Sequence, residues 1–284
     1  MRMKLEKFYN NKYEKIDDVK VFFDYTNKRV KIIDFDNSSL HTIKKIIYFA
    51  NSIDIGKVIC NCNIEKMKTL MEAGFELEGK IEGYFKGQDA YCMSYFISSN
   101  RKISTNYLIE DSIIKECINR DKSSINTDNS SKFIVRNAVK SDIDEMINLF
   151  SMIFSTYPSP VYDSEFIKST MEKNVLYKVA VLDGKIIGIA SADMDEENLN
   201  AEITDCATNP EYRGLGVLSR IISSLEKDLK KNGFICLYSL SRAINPSINF
   251  AFSKYNYNFA GRLINNCNIC GDFENMNIWV KNIN

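Results

Sequence analysis

From residue 133 to the end of the chain, short strand-like runs alternate with runs whose apolar residues have helical spacing. Their order is strand, helix, helix, three strands, helix, strand, helix and two strands. The Asp183–Gly184 pair inside one run is a strong signal for a two-residue hairpin turn. This pattern predicts an α/β (α+β) fold in which helices flank a mixed, mostly antiparallel sheet.

Capping and turn residues set the expected bounds of these elements. Gly233 ends one helix, Pro246 begins another, and the last hairpin turns at Gly271–Asp272. The predicted strands are 133–139, the pair within 176–194, 201–208, 234–240 and the last hairpin; the predicted helices are 141–154, a short one from 164, 217–233 and 245–255.

A polar stretch, residues 119–131, separates the chain into two segments because it is short of apolar residues and rich in turn formers. We therefore predict an N-terminal α/β domain over 1–120, a linker over 121–131 and a second domain over 132–284. A chain of 284 residues is long enough for two domains of ordinary size.

The first segment contains a weak copy of part of the second. Residues 70–81 align with residues 252–263, which places Gly79 on Gly261 and Lys80 on Arg262. A strand-like run precedes each stretch and a hairpin-like run follows it. We interpret this as a partly degenerate duplication of a strand–helix–hairpin unit; the alternative is chance similarity between two amphipathic helix–strand junctions.

Charge and hydropathy exclude several classes of partner. Lys plus Arg and Asp plus Glu number 37 each, so the excess of positive charge typical of nucleic-acid binders is missing. No window approaches the ~18 apolar residues of a membrane span, and the N-terminal run lacks the apolar core of an export signal. We therefore predict no nucleic-acid or membrane partner and a cytoplasmic location.

The eight cysteines are expected to be reduced thiols in that compartment. Cys267 and Cys270 form a C-x-x-C pair, which occurs in zinc sites and in redox dithiols. The chain has no second such pair and only one histidine, His41, whereas a closed zinc site needs four ligands. We therefore predict no metal and keep a zinc or thiol-redox protein only as a third alternative.

The stretch T-D-C-A-T-N-P-E-Y-R-G-L-G-V-L-S-R (204–220) joins a strand to a helix through a loop with two glycines. Gly214 and Gly216 allow close approach of a ligand, and the free N–H groups at the helix start favour phosphate. Arg213 adds a positive charge. The alternative is a plain tight turn, since neither the P-loop nor the three-glycine dinucleotide motif is present.

With this loop and its surroundings, residues 132–284 resemble the GNAT superfamily of acyl-CoA N-acyltransferases. The similarity includes I-V-R-N-A-V followed by Asp142, the hairpin, A-E-I-T-D-C-A-T-N-P-E-Y-R-G-L-G and the helix ending F-S-K-Y-N-Y. The family loop Q/R-x-x-G-x-G/A fits Arg213–Leu218 or Glu211–Gly216, each with one off-pattern residue. The resemblance implies acetyl-CoA as co-substrate, and a first domain that resembles a partial repeat of the GNAT fold.

The β-lysine N-acetyltransferase branch is the part of the superfamily that the chain resembles most. The similarity is carried by T-D-C-A-T-N-P-E-Y-R-G, L-I-N-N-C-N-I-C-G-D-F-E-N-M-N, Y-P-S-P and E-A-G-F-E-L-E-G-K-I-E-G-Y-F-K-G, which lie in both segments. It implies that acetyl passes to the side-chain amine of β-lysine and that the product is a compatible solute.

The family resemblance also implies residues for the co-substrate. The loop amides that bind the pyrophosphate are those of Arg213, Gly214, Leu215, Gly216, Val217 and Leu218. The pantetheine arm is expected along Cys206, Ala207 and Thr208. Asn245 and Asn249 are candidate contacts to CoA; their alternative roles are a helix cap and an exposed amide.

Acetylation needs a base, because a lysine-type amine has a pKa of ~10.4 and must lose a proton before it attacks. Glu202 is the first candidate and Asp205 the second; they face opposite sides of a strand unless a bulge intervenes. Many GNAT enzymes have a tyrosine that acts as the general acid at the position of Phe252, and phenylalanine cannot donate a proton. The acid is then Tyr255, Tyr257 or a water, or the thiolate leaves unprotonated.

An amino-acid acceptor also needs groups that bind its carboxylate and its second amine. Arg136 and Arg242 are candidates for the carboxylate because a guanidinium binds it well. Tyr157, Asn265, Asn266 and Cys267 are candidates for the wall around the amine.

Two other functions stay open at this stage. One is acetylation of another small amine, a polyamine or a protein amine; the other is a non-catalytic acyl-CoA sensor, which the Phe252 departure favours. For the first segment we consider packing against the catalytic sheet, a lid over the site, or a homodimer interface.

Overall fold

A computed structural model describes residues 11–35, 40–120 and 133–283. Within these ranges the chain forms thirteen strands in one sheet and seven α-helices. The predicted linker 121–131 and the first ten residues lie outside the described residues. Across the described ranges, no helix combines the length and the apolar character needed to cross a bilayer.

The strands and helices are numbered in chain order. The strands are β1 (Lys12–Ile16), β2 (Val19–Asp24), β3 (Arg29–Asp34), β4 (Lys57–Cys62), β5 (Glu76–Phe85), β6 (Gln88–Phe96), β7 (Ile134–Asn137), β8 (Val175–Leu182), β9 (Lys185–Asp195), β10 (Asn200–Thr208), β11 (Cys236–Arg242), β12 (Asn258–Ile269) and β13 (Asp272–Asn282). The helices are α1 (Leu40–Ser52), α2 (Ile64–Glu72), α3 (Tyr107–Asn119), α4 (Ile143–Ile153), α5 (Ser164–Met171), α6 (Val217–Lys231) and α7 (Pro246–Lys254).

The sheet has the order β1-β2-β3-β4-β6-β5-β12-β13-β11-β10-β9-β8-β7. Among the strands of the described residues, only β3–β4 and β10–β11 pair in parallel, each through a helical crossover, and the remaining neighbours are antiparallel. The predicted mixed, mostly antiparallel sheet with flanking helices is therefore confirmed.

The strand order repeats itself in mirror image about the centre of the sheet. The unit β2-β3-α1-β4-α2-β5-β6 has the same connections and strand order as β9-β10-α6-β11-α7-β12-β13. The structural repeat therefore begins further upstream than the aligned stretches 70–81 and 252–263. It includes the parallel strand pair of each half.

The two units meet at the pair of glycines that the sequence alignment superimposes. Gly79 of β5 and Gly261 of β12 are the one residue pair in register between these strands. A Cβ atom on Gly261 would lie 2.4 Å from the carbonyl oxygen of Glu78 and 2.5 Å from Cα of Gly79. Only glycine allows the two backbones to approach this closely.

A buried ion pair binds the backbone of β12 beyond Gly261, where β12 is no longer paired with β5. Glu78 accepts a hydrogen bond from the N–H of Ile264 at 2.6 Å, and Lys57 donates to the carbonyl of Ile264 at 2.8 Å. Lys57 and Glu78 also bind each other at 2.7 Å. These two side chains satisfy the backbone groups of Ile264 that a neighbouring strand would otherwise bond.

Apolar cores lie on both halves and across their junction. One core joins Phe23, Ile43 and Met93 of the first segment, and another packs α6 and α7 against the second. Helix α3 buries Ile113 and Cys117 in this second core although it belongs to residues 1–120. The division into domains 1–120 and 132–284 stays a prediction, since both segments share one sheet and α3 packs on the second.

We expect Gly261→Ala to lower the free energy of unfolding by about 2–4 kcal/mol, because a methyl group would overlap the backbone of β5 at a positive φ. The measurement is denaturant unfolding followed by circular dichroism. Gly184→Ala is the matched control: Gly184 also has a positive φ, but within the part of the chain that the structure describes no atom lies within 4 Å of its added Cβ. Equal losses of unfolding free energy in the two variants would contradict a steric role for the contact between Gly79 and Gly261.

Candidate active site

The parallel strands β10 and β11 diverge halfway along their length. Their register covers only Asn200–Glu202 against Cys236–Tyr238, whereas β10 stays paired with β9 as far as Thr208. A bulge between Thr204 and Ala207, with Asp205 at φ 49°, accompanies the divergence. The edge of β10 beyond Glu202 is therefore unpaired on the side of β11, and its backbone groups face the gap between the two strands.

The loop after β10 offers unpaired N–H groups at its end. Gly214 and Gly216 have φ of 81° and 73°, and no atom of the described residues lies within 4 Å of a Cβ added to either one. Gly216 caps the 15-residue helix α6 without a side-chain hydrogen bond. The first N–H groups of α6 therefore have no capping acceptor and are available to a ligand. Exposed amides at a helix start suit the pyrophosphate of CoA, so the residues present fit this co-substrate.

Tight packing fixes the start of α6 on the sheet. A Cβ on Gly188 of β9 would lie 2.4 Å from Val217, whose own side chain is buried in the core. Val217 therefore has only its backbone to offer to CoA. Arg213 and Leu215 are exposed on the loop, Leu218 is half-buried, and Cys206, Ala207 and Thr208 lie on the open part of β10.

The structure does not support a CoA contact for Asn249. Its amide nitrogen donates to the carbonyls of Arg242 at 2.9 Å and Asn245 at 2.7 Å, and its oxygen accepts from Trp279 Nε1 at 2.8 Å. The side chain is fully buried. Asn249 thus holds α7 on the sheet, and this prediction is corrected. Asn245 caps α7 by accepting from the N–H of Ser247 at 3.0 Å, which is the alternative role.

On the opposite face from α6, Glu202 borders a cavity of about 520 Å³. Ala201 and Ile203, its neighbours on β10, pack in the core with α6, so the alternation of the strand points Glu202 away from that helix. The cavity lies where β10 and β11 begin to diverge. Its lining residues come from both segments: Lys31, Tyr84, Lys173, Asn174, Asp193, Met194, Asp195, Glu196, Asn200, Glu202 and Tyr238.

Burial raises the pKa of Glu202 to about 7, and the negative charge of Asp193 adds to this effect. The positive charge of Lys31 opposes it, and Asp205 raises the pKa further. A carboxylate with this pKa exists in both protonation states near neutral pH. Such a group can accept a proton and release it again during a reaction cycle.

Asp205 has different surroundings. It is buried, and one carboxylate oxygen accepts a hydrogen bond from Ser191 Oγ at 2.7 Å. Burial raises its pKa, while the hydrogen bonds from Ser191 and Tyr157 lower it. The bulge brings Asp205 close enough for its charge to act on Glu202, but Asp205 does not line the cavity.

The loop between α4 and α5 places Tyr157 beside the bulge of β10. Burial raises the pKa of Tyr157 well above its ordinary value, and the charge of Asp205 adds to this. On the α6 side, Tyr255 is half-buried and bonds Ser219 in the first turn of α6, while burial raises its pKa. Tyr255 thus lies next to the helix start that fits CoA.

Both arginines predicted to bind a carboxylate are already paired. Arg136 on the edge strand β7 bonds both oxygens of Asp142, at 2.6 and 2.9 Å, and lies three strands away from β10. Arg242 bonds Glu274 at 2.7 Å through Nε and again through its terminal nitrogen. Each guanidinium is thus neutralised within its own half of the sheet, and the binding of an acceptor carboxylate by either arginine stays a prediction.

The predicted wall residues contact the first segment instead of the cavity. Asn265 donates to the carbonyls of Arg101 at 3.1 Å and Ile103 at 2.7 Å. The carbonyl of Asn266 accepts from Arg29 at 3.0 Å, and the Cys267 sulfur lies 3.6 Å from the same nitrogen. Asn265, Asn266 and Cys267 therefore join the two halves and are absent from the lining of the cavity beside Glu202; their part in an amine site stays a prediction.

The C-x-x-C pair is divided between interior and surface. Cys267 on β12 is buried, whereas Cys270 lies in the turn between β12 and β13 and is exposed. Among residues 11–35, 40–120 and 133–283, no three His, Cys, Asp or Glu side chains are grouped closely enough to hold a metal ion.

Lys31 is a cavity residue that the sequence analysis missed. A signal for it is visible when the repeat is extended upstream: R-V-K-I-I-D at 29–34 aligns with N-A-E-I-T-D at 200–205. Lys31 falls on Glu202 in this alignment, and Asp34 falls on Asp205.

Comparisons with known proteins agree with this geometry. The profile of the Acetyltransferase (GNAT) family matches residues 143–251. A β-lysine N6-acetyltransferase of Methanosarcina mazei is 40% identical over 82% of this chain and 93% of its own length. The N-acetyltransferase YodP of Bacillus subtilis is 34% identical, and a β-lysine N6-acetyltransferase of Methanococcus maripaludis is 33% identical, each over 90% of this chain and 93% of its own.

Among solved structures, a GNAT phosphinothricin acetyltransferase of Sinorhizobium meliloti in complex with AcCoA aligns with a TM-score of 0.48 and 19% identity. The alignment covers 54% of this chain and 89% of that chain. The identity and coverage of the sequence relatives establish the family, with which the diverging strands and the open glycine loop agree. The chain therefore belongs to the GNAT acetyltransferases, in the branch that includes β-lysine N6-acetyltransferases, and is an acetyl-CoA-dependent N-acetyltransferase.

Proposed function

We propose that this enzyme transfers the acetyl group of acetyl-CoA to the side-chain amine of β-lysine, which yields the compatible solute N6-acetyl-β-lysine. The observation that carries the proposal is the cavity beside Glu202, which combines a carboxylate that has no hydrogen-bond partner among the described residues with groups of both charges. The names of the two archaeal relatives support the same substrate.

The charges around the cavity complement those of a diamino acid. Four carboxylates face two lysines, an excess of two negative charges: Asp193, Asp195, Glu196 and Glu202 against Lys31 and Lys173. β-Lysine carries two ammonium groups and one carboxylate. A substrate with more positive than negative charge suits this lining, and its single carboxylate can still find a cation.

We assign one group of the enzyme or its co-substrate to each step of the transfer. Acetyl-CoA supplies the activated acetyl group. Glu202 takes a proton from the acceptor ammonium so that the amine can attack. The open edge of β10 offers N–H groups to the negative charge that develops on the carbonyl oxygen. Tyr255, next to Ser219, is the candidate that protonates the departing thiolate.

The direct test is a product assay in which acetyl-CoA is incubated with β-lysine, L-lysine and spermidine and the products are identified by mass spectrometry. We expect a single acetyl group on N6 of β-lysine and the highest kcat/KM for this amine. Turnover of β-lysine no faster than that of L-lysine or spermidine would overturn the substrate assignment.

We expect Glu202→Gln to lower kcat/KM for the amine by roughly 100-fold or more, because the amide cannot accept a proton. In the wild type, kcat/KM should fall as the pH drops through about 7, since the raised pKa of Glu202 leaves the base protonated below this value. The variant should lose this acidic limb. Initial rates between pH 5.5 and 9.5 measure both effects.

Asp205→Asn is the matched variant for the second candidate base. Because Asp205 is already bonded to Ser191, its replacement should lower activity less and leave the limb near pH 7 in place. If Asp205→Asn abolished the limb and Glu202→Gln retained it, the two roles would have to be exchanged.

We expect Arg213→Gln to raise KM for acetyl-CoA roughly three- to tenfold with little change in KM for the amine, because an exposed cation beside the glycine loop pairs with phosphate. The effect should shrink at high salt. The control is Lys227→Gln, which removes an exposed cation from α6 and should leave both constants unchanged. An unaltered KM for acetyl-CoA in Arg213→Gln would argue against this contact.

A further inference from the structure

Lys31 and Glu202 occupy equivalent positions in the two halves of the sheet. In both halves, the glycine of the central strand defines the register of the hairpin partner: Gly79 pairs with Cys92 and Gly261 with Ile278. Two residues further along each partner strand, the pairing continues to the parallel strands as Ser94–Ile59–Lys31 and Val280–Tyr238–Glu202. Lys31 therefore stands in the first half where the candidate base stands in the second.

The two equivalent side chains face the same cavity. Both line it, although six strands lie between β3 and β10 in the sheet order. The positive charge of Lys31 lowers the pKa of both Glu202 and Asp193, so it acts across the space that the acceptor would occupy. The twist of the long sheet turns the same face of each half toward this space.

Among the described residues of the first segment, Lys31 is the cation that lines this cavity and is available to a ligand. Two residues before it on β3, Arg29 is engaged by Asp24 at 2.8 Å and by the carbonyl of Asn266 at 3.0 Å. Lys31 is half-buried and has no hydrogen bond or ion pair within 11–35, 40–120 and 133–283. Lys173 also lines the cavity, but it is exposed and lies just after α5.

A half-buried ammonium group held on a strand, with acidic groups beside it, is suited to bind the carboxylate of a substrate whose amines meet those acids. Asp193 already accepts a hydrogen bond from Asn174 at 2.6 Å, which fixes its carboxylate toward the cavity. We propose that Lys31 binds the carboxylate of the acceptor amino acid, so that the first segment supplies the group that selects amino acids over simple diamines.

This inference rests on the proposed function in that the acceptor is an amino acid with a second amine. It gives the two copies of the repeat different tasks at one cavity. The second copy holds acetyl-CoA and removes the proton, and the first copy recognises the end of the acceptor that does not react.

The test compares β-lysine with 1,4-diaminopentane, which is β-lysine without its carboxylate. We expect the wild type to favour β-lysine by roughly 30-fold or more in kcat/KM, as for a charged group that loses its buried partner. Lys31→Gln should raise KM for β-lysine by roughly tenfold or more and change kcat/KM for 1,4-diaminopentane less than threefold. The assays are run at pH 9, above the pKa of Glu202, so that its protonation does not mask the effect.

Three controls separate recognition from folding. Lys31→Arg keeps the charge and should retain most of the preference for β-lysine. Lys44→Gln removes an exposed lysine from α1 of the same segment and should behave as the wild type. KM for acetyl-CoA and the thermal unfolding midpoint of Lys31→Gln should stay at wild-type values. A merely structural Lys31 would change these two quantities and would weaken turnover of both amines together.

The outcomes distinguish this inference from the proposed function. If the wild type acetylates L-lysine or another amino acid instead of β-lysine, the substrate proposal fails, and the same comparison is made with that amino acid and its decarboxylated form. If the wild type acetylates β-lysine but Lys31→Gln discriminates between the two amines as the wild type does, the inference about Lys31 fails alone. A wild type that accepts no amino acid overturns both.

Discussion

The contact between Gly79 and Gly261 is the constraint on which the rest of this structure depends. Two strands meet there with one residue pair in register and without side chains between them. The contact joins two copies of one unit into a single twisted sheet, so neither copy has an independent central edge. Because the equivalent faces then turn toward each other, a cavity forms between residues that are far apart in the chain and in the strand order.

Buried charges reinforce this junction at a cost in desolvation. Lys57 is fully buried, and burial lowers its pKa to about 8 despite the nearby Glu78. Such pairs are weak evidence for added stability, but each group here is bonded to backbone as well as to its partner. Since both backbone bonds go to Ile264, the ion pair fixes where β12 parts from β5. These charges contribute more to the selection of one arrangement of the two halves than to the free energy of unfolding.

Local patterns predicted the elements of the second half, the glycine loop and the equivalence of Gly79 with Gly261. The contact between the two glycines could not be predicted from the sequence, because an alignment relates positions and does not locate them in space. Lys31 was missed for the same reason: its neighbours depend on the twist of the whole sheet. The CoA contact predicted for Asn249 was mistaken because a polar side chain on a helix can be fully bonded by internal partners, such as Trp279, that periodicity does not reveal.

The central position of β12 has a consequence for any attempt to obtain a minimal enzyme. Removal of the first segment would turn β12 from an interior strand into an edge strand, with bare glycine backbone and apolar residues such as Leu263 and Ile278 newly exposed. Unprotected edges of this kind pair with other chains and promote aggregation. The first segment therefore acts as the edge protection of the catalytic sheet, so the fragment 132–284 would lose solubility before its chemistry could be measured.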